Sequence, residues 1–233
     1  PEETARRAKF IYINYPNNPT GAVATKAFYE KLVAWAKTYE VGVVSDLAYG
    51  ALGYRGYENP SFLSTPGAKD VGIEFYTFSK TFNMAGWRLA FAAGNDQMIE
   101  ALNLIQDHLF VGIFPALQEA GIAALLDPKS EEAVAQLNAT YDSRRDAFVQ
   151  AAAKIGWKAF PSKGSFYAWM PIPEGYTSES FADLLLEKAH VAVAPGKGFG
   201  PAGDAYVRIG LLVEPERLVE AVDRIANLQL FNN

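Results

Sequence analysis

Cysteine is absent from this 233-residue chain. That rules out disulfide bridges, thiolate nucleophiles and cysteine-based metal sites, and it fits a reducing compartment, the cytoplasm. Histidine is scarce. His108 and His190 stand far apart with no ligand spacing around either, so both read as ordinary core or surface residues and no metal site is expected. Long apolar runs are missing too. None approaches the about 20 residues that a spanning helix needs, and no charged-then-apolar leader is present, so no membrane role is expected. Nor is there an excess of positive charge. Lys and Arg total 21 against 26 Asp and Glu, a net charge of −5, which argues against nucleic acid or an anionic membrane as the main partner. The chain has no internal repeat and no low-complexity tract.

What is present reads as a folded α/β protein. Half of the residues are apolar and 20% are charged, which is ordinary for a globular chain with a sizeable core. Short apolar runs alternate with helical patterns, the signature of βαβ units and of a mainly parallel sheet with helices on both faces. Strands are expected at 9–14 (KFIYIN), 41–45 (VGVVS), 73–78 (IEFYTF) and 88–94 (RLAFAAG). Thr25 is placed to cap a helix whose apolar face is Phe28, Leu32, Trp35, Ala36 and Tyr39. Helical patterns dominate from 96 to about 155, with breaks at 114–115 and 127–128. The character then changes. WKAF (157–160) and SFYAWMP (165–171) read as paired strands, and a helix is expected over 178–190. After it come VAVAP, the glycine-rich PGKGFGPAG, a strand AYVRIGLL, and a last helix with Leu218, Ala221, Val222, Ile225 and Leu228 on one stripe. The expected organisation is an α/β domain over 1–140 and a smaller α+β domain over 141–233, with the boundary inside a long helix at 130–155.

In open α/β sheets, ligands bind beyond the carboxyl ends of the strands. If the strands are neighbours, the first delivers Asn18, the second Asp46 and Tyr49, and the third Thr77, Ser79 and Lys80, while Arg88 opens the fourth. Singly, each has a plainer reading: Asn18–Pro19 as a turn, Asp46 as a cap, Lys80 and Arg88 as surface charges. Together, a carboxylate, a lysine, an arginine and an amide at consecutive strand ends make a specific set. A lysine amine joins a carbonyl only when unprotonated, a state favoured by nearby cations and a dry pocket. The cofactor that fits is pyridoxal 5′-phosphate. Its ring nitrogen wants an acidic partner, its phosphate an arginine and hydroxyls, and its ring oxygen neutral donors such as a tyrosine and an amide.

The motifs NNPTG, SDLAYG, TFSKTFNMAGWR and PGKGFGPAGDAYVRIG stand in one order from residue 17 to residue 210. In that order and spacing the chain resembles the class I/II pyridoxal-phosphate aminotransferases, fold type I. The resemblance implies that Lys80 holds the cofactor as an internal aldimine and carries the proton between substrate Cα and cofactor. It implies that Asp46 pairs with the pyridinium nitrogen and that Asn18 and Tyr49 donate to the phenolic oxygen. It makes Thr77, Ser79 and Arg88 the candidates for the phosphate, and implies that Arg208, in YVRIG, clamps the substrate α-carboxylate together with Asn18. The Asn18–Pro19 bond is cis in relatives. Two positions depart from the family pattern. Leu47–Ala48 replaces an acidic residue followed by alanine, and Ala90 stands where relatives often carry glycine.

The implied activity is ping-pong transfer of an amino group from an α-amino acid to a 2-oxo acid, through a pyridoxamine phosphate intermediate, in a homodimer. Two alternatives stay open. One is elimination by the same chemistry, as in the related carbon–sulfur lyases. The other is a non-catalytic cofactor-sensing domain of a transcription regulator. The opening PEETARRAKF reads as mid-protein. Relatives carry upstream a phosphate-cupping Gly/Ser-rich loop, an aromatic that stacks on the cofactor and a tyrosine that reaches the partner subunit. A longer protein is therefore expected, and this piece alone is expected to be weak or inactive. PGKGFGPAG lacks the G-x-x-x-x-G-K-[ST] spacing of a nucleotide loop and reads as a mobile loop near the substrate mouth. The aromatics of SFYAWMP read as small-domain core, with Phe166 or Tyr167 able to border the substrate.

Overall fold

The computed structural model describes residues 1–160 and 162–231. The chain divides into two compact units that interleave in sequence. The first is 1–16, 23–53 and 58–136, and the second is 17–22, 54–57 and 137–233.

The first unit contains α1 (Glu2–Arg7), β1 (Phe10–Asn14), α2 (Lys26–Tyr39), β2 (Gly42–Asp46), α3 (Ala68–Val71), β3 (Gly72–Thr77), α4 (Phe78–Thr81), β4 (Ala90–Gly94), α5 (Asp96–Leu109), α6 (Pro115–Leu126) and the first turns of α7 (Ser130–Lys154). Its sheet has the order β1-β2-β3-β4. The first three strands are parallel and β4 is antiparallel to β3, so the sheet is mixed and mostly parallel. Asn14, Asp46 and Phe75 lie side by side across three strands, and Thr77 pairs with Ala90.

Helix α2 starts where Thr25 accepts the Phe28 N–H and ends at Glu40, which takes a left-handed conformation (φ 53°). Its buried face is Tyr29, Leu32, Val33 and Ala36, one position round from the expected stripe. Phe28 lies outward because Tyr29, not Phe28, packs edge-on against Phe62, with ring centres 5.8 Å apart. Glu74 is buried on β3 and is held by Ser45 Oγ (3.0 Å), Ser61 Oγ (2.5 Å) and the Phe62 N–H (2.8 Å). The fourth strand begins two residues later than expected, since Arg88 is left-handed (φ 53°) and closes a short turn.

The second unit contains the rest of α7, β5 (Tyr167–Pro171), α8 (Ser178–Leu184), β6 (Ala194–Pro195), β7 (Tyr206–Gly210) and α9 (Pro215–Ala226). Its sheet is antiparallel in the order β5-β7-β6. Helix α8 opens with a capping box at Thr177 and Ser180 and runs on as a wider π-turn to His190. The core gathers Phe148, Trp157, Met170, Phe181, Leu185, Val207, Leu211, Leu218, Val222 and Ile225. WKAF is not a strand. The Trp157 indole is spent in this core, where it donates to the Pro171 carbonyl (2.7 Å), and Phe160 N–H to Trp169 O is the pairing left. VAVAP contributes only the two residues of β6.

Segments 17–22 and 54–57 join this unit through specific bonds. Tyr54 N–H donates to Lys163 O (2.9 Å), Ser162 Oγ to Gly21 O (3.2 Å), and Arg55 pairs with Asp146. A side chain at Gly21 (φ +69°) would run into Ser162, so both the turn and the close approach require glycine. Among the described residues, no helix is long and apolar enough to cross a membrane.

Candidate functional site

The sheet of the first unit turns one edge into a row of polar groups. Because β1, β2 and β3 run in parallel, their carboxyl ends share that edge. Because β4 runs the other way, its start lies there too, which is why Arg88 comes to it from the opposite chain direction. The strands expected to be neighbours are neighbours.

Asp46 ends β2 with its backbone carbonyl held by the Asn14 amide (3.0 Å), and its carboxylate accepts the Ala48 N–H (3.1 Å). Desolvation raises the Asp46 pKa above the usual carboxylate value, and the Ala48 N–H works against that rise. Tyr49 follows in the turn and is 5% exposed. Lys80 does not end the strand. It sits in α4, a single turn begun when Thr77 Oγ1 accepts the Ser79 N–H (3.2 Å). That turn carries the half-buried Lys80 ammonium back over the Tyr49 ring, 6.0 Å from its centre. Thr77 Oγ1 and Ser79 Oγ lie 2.9 Å apart, and the Phe78 N–H donates to Leu89 O (3.2 Å), next to Arg88. Arg88 is exposed, with Nη1 on the Ala85 carbonyl (2.8 Å).

Asn18 and Arg208 belong to the second unit. The NNPTG turn is self-closed: Asn17 Oδ1 takes both the N–H (3.2 Å) and the hydroxyl (2.7 Å) of Thr20, and Gly21 N–H returns to Asn17 O. Asn18–Pro19 is cis, as is Tyr15–Pro16. The turn presents Asn18 Oδ1 to Arg208 Nη1 at 2.7 Å. The Arg208 guanidinium also lies 4.3 Å from the Tyr167 ring centre and 4.7 Å from that of Phe199. Phe199 carries no signal on its own in the sequence beyond being the one aromatic inside PGKGFGPAG. That segment is two short 3₁₀ turns, Gly196–Phe199 and Pro201–Ala205, rather than an irregular loop.

The chain belongs to the class I and II aminotransferases, whose family model matches residues 1–225. It is 58% identical over 229 residues to the L-glutamine–4-(methylsulfanyl)-2-oxobutanoate aminotransferase of Bacillus subtilis, covering 98% of this chain and 57% of that protein. It is 48% identical over 225 residues to the LL-diaminopimelate aminotransferase of Moorella thermoacetica, covering 97% of this chain and again 57% of that protein. Among solved structures, substrate-bound BacF from Bacillus subtilis superposes with a TM-score of 0.94 at 47% identity, covering 99% of this chain and 58% of that one. The aromatic aminotransferase of Pyrococcus horikoshii gives 0.92 at 35%, over 96% of this chain and 60% of that one. The chain thus spans somewhat under three fifths of the length of the curated relatives it matches.

The family's cofactor is pyridoxal phosphate, and the donor set of the first unit fits it. An amine, a carboxylate, a phenol and two hydroxyls stand at the carboxyl ends of β2 and β3, and Arg88 precedes β4 at the same end of the sheet. The Asp46 carboxylate, partly desolvated and accepting the Ala48 N–H, is suited to a cationic ring N–H.

Proposed function

We propose that the protein is a pyridoxal-phosphate aminotransferase that moves an amino group from an α-amino acid to a 2-oxo acid. The observation that carries this reading is the convergence of Asp46, Tyr49, Thr77, Ser79 and Lys80 on one edge of the first sheet. The cofactor supplies a carbonyl that bonds amines and a ring that withdraws electrons from the substrate Cα. Lys80 supplies the amine for that carbonyl and, once free, moves the proton at the substrate Cα through Nζ. Asp46 holds the proton on the ring nitrogen, because a carboxylate beside a cationic N–H stabilises its charge. Tyr49 and Asn18 donate to the ring oxygen. Thr77, Ser79 and Arg88 bind the phosphate. Arg208, braced by Asn18 Oδ1, receives the substrate carboxylate.

The domain reading is part of the same proposal: 1–140 as the remainder of the cofactor-binding domain, and 141–233 as the small domain. So are a cytoplasmic location and a homodimer of the full-length protein. The names of the relatives nominate L-glutamine with 4-(methylsulfanyl)-2-oxobutanoate, and LL-diaminopimelate, as first substrates to try.

The test is covalent labelling. The full-length protein is incubated with pyridoxal phosphate, reduced with borohydride, digested and mapped by mass spectrometry, with Lys80→Ala in parallel. A single adduct on Lys80, lost in the variant together with about 10³-fold or more of the transamination rate, is the expected result. Labelling scattered over several lysines, or unchanged in Lys80→Ala, would refute the assignment.

A further inference from the structure

One face of the small sheet is aromatic, and Arg208 is set into it. On β5 and β7, Ala168, Met170, Val207 and Ile209 point into the core, so their neighbours Tyr167, Trp169, Tyr206 and Arg208 share the other face. Trp169 lies in register with Arg208 and stacks on Tyr206, with ring centres 5.2 Å apart. Tyr167 gives Arg208 its first ring contact.

The second ring comes from outside the sheet. Phe199 reaches Arg208 at 4.7 Å and meets Trp169 nearly at right angles. Phe199 is 40% exposed and stands outside the buried core of this unit. The segment that carries it is nevertheless tightly held. Fully buried Ser178 donates from Oγ to Asp204 Oδ1 (2.8 Å) and accepts the Lys197 N–H (3.1 Å), and Ser178 N–H reaches the same Asp204 oxygen. Gly196 and Gly203 pack backbone to backbone, with no room for a side chain at either. Two anchored turns thus fix an apolar ring against a guanidinium rather than against the core.

A guanidinium donates hydrogen bonds only in its own plane, so the tilt of that plane decides whether it can meet a carboxylate through two parallel bonds. We infer that Phe199 is a positioning residue of the carboxylate clamp. With Tyr167 it sets the plane of Arg208 so that the edge not given to Asn18 faces the α-carboxylate shared by every amino-acid and 2-oxo-acid substrate. This rests on the reading of Arg208 as that clamp.

Phe199→Leu keeps an apolar side chain and removes the ring. In the full-length holoenzyme it is expected to raise KM for both the amino donor and the oxo acceptor on the order of tenfold, the size of a partly desolvated cation–π contact, with kcat within about twofold. Phe199→Tyr restores the wild-type KM. A readout without turnover is the binding of 3-phenylpropionate, measured by calorimetry. Phe199→Leu weakens it by the same factor and leaves the neutral 3-phenylpropanol unchanged. If Phe199→Leu lowers the melting temperature, Phe199→Met replaces it. Unchanged KM in the Leu or Met variant, or an equal loss in Phe199→Tyr, overturns the inference. So does a loss in kcat alone. Arg208→Lys separates the two failures. If it too leaves carboxylate binding intact, the clamp reading has failed. If it abolishes binding while Phe199→Leu does nothing, only the role of Phe199 has.

Discussion

Asp46 shows how one residue is caught between fold and function. Its folded pKa is raised by desolvation, so the folded state binds its proton more readily than the unfolded chain does. Such a group contributes stability that is fully present below the ordinary carboxylate pKa and is lost as pH rises through the raised value. At neutral pH, without cofactor, the ionised Asp46 is therefore a burden. Asp46→Asn is expected to melt higher than the wild type at pH 7, by no more than about 1 kcal/mol because the side chain still reaches solvent. The difference should close as pH falls towards 4. Under the proposed pairing of Asp46 with the ring nitrogen, cofactor reverses the order, since asparagine carries no charge to hold the ring proton. Thermal melts across pH, with and without pyridoxal phosphate, check both signs. Strand-end chemistry of this kind is legible in sequence because polar residues stand out after apolar runs. The pairing of Phe199 with Arg208 is not, because eight residues and a 3₁₀ turn separate them along the chain.

At the scale of elements, Glu74 joins β2, β3 and the turn at Phe62–Ser64 through one buried carboxyl group. Glu74→Ala would strand the Phe62 N–H and two serine hydroxyls, at a cost of about 3 kcal/mol. Glu74→Gln keeps an acceptor and should cost about half as much, measured as the shift in urea midpoint. In the sequence, IEFYTF shows only an apolar strand with one odd glutamate, and its partners lie 12 to 29 residues away. The same limit explains the other differences. The four strands of the first sheet and the breaks between α5, α6 and α7 are legible, since periodicity and proline mark them locally. Which side of α2 is buried depends on Phe62, and whether WKAF pairs depends on where the Trp157 indole goes. Both are settled by tertiary contacts that no local pattern records.

At the scale of the whole molecule, α5 and α6 leave a broad apolar surface in water. Leu104, Ile105, Leu109, Phe110, Val111, Phe114 and Leu126 are each more than half exposed, more than isolated surface apolar residues account for. The 233-residue chain is expected to sediment above its 25.5 kDa monomer mass, with the excess growing with concentration. Leu109→Lys with Phe110→Lys should return it to monomer. A monomer at all concentrations in the unsubstituted chain would count against self-association through this surface. The change in character after α7 is visible in the sequence, but the interleaving of the two units is not, because segments 17–22 and 54–57 look like ordinary loops of the first sheet. The backbone passes from one unit to the other at 16/17, 22/23, 53/54, 57/58 and 136/137. No single protease cut can therefore release either unit whole. A gene beginning at 137 would encode a fragment lacking the Gly21 and Tyr54 partners of Ser162 and Lys163. Exchanging the second unit between relatives would require three grafts made together rather than one splice.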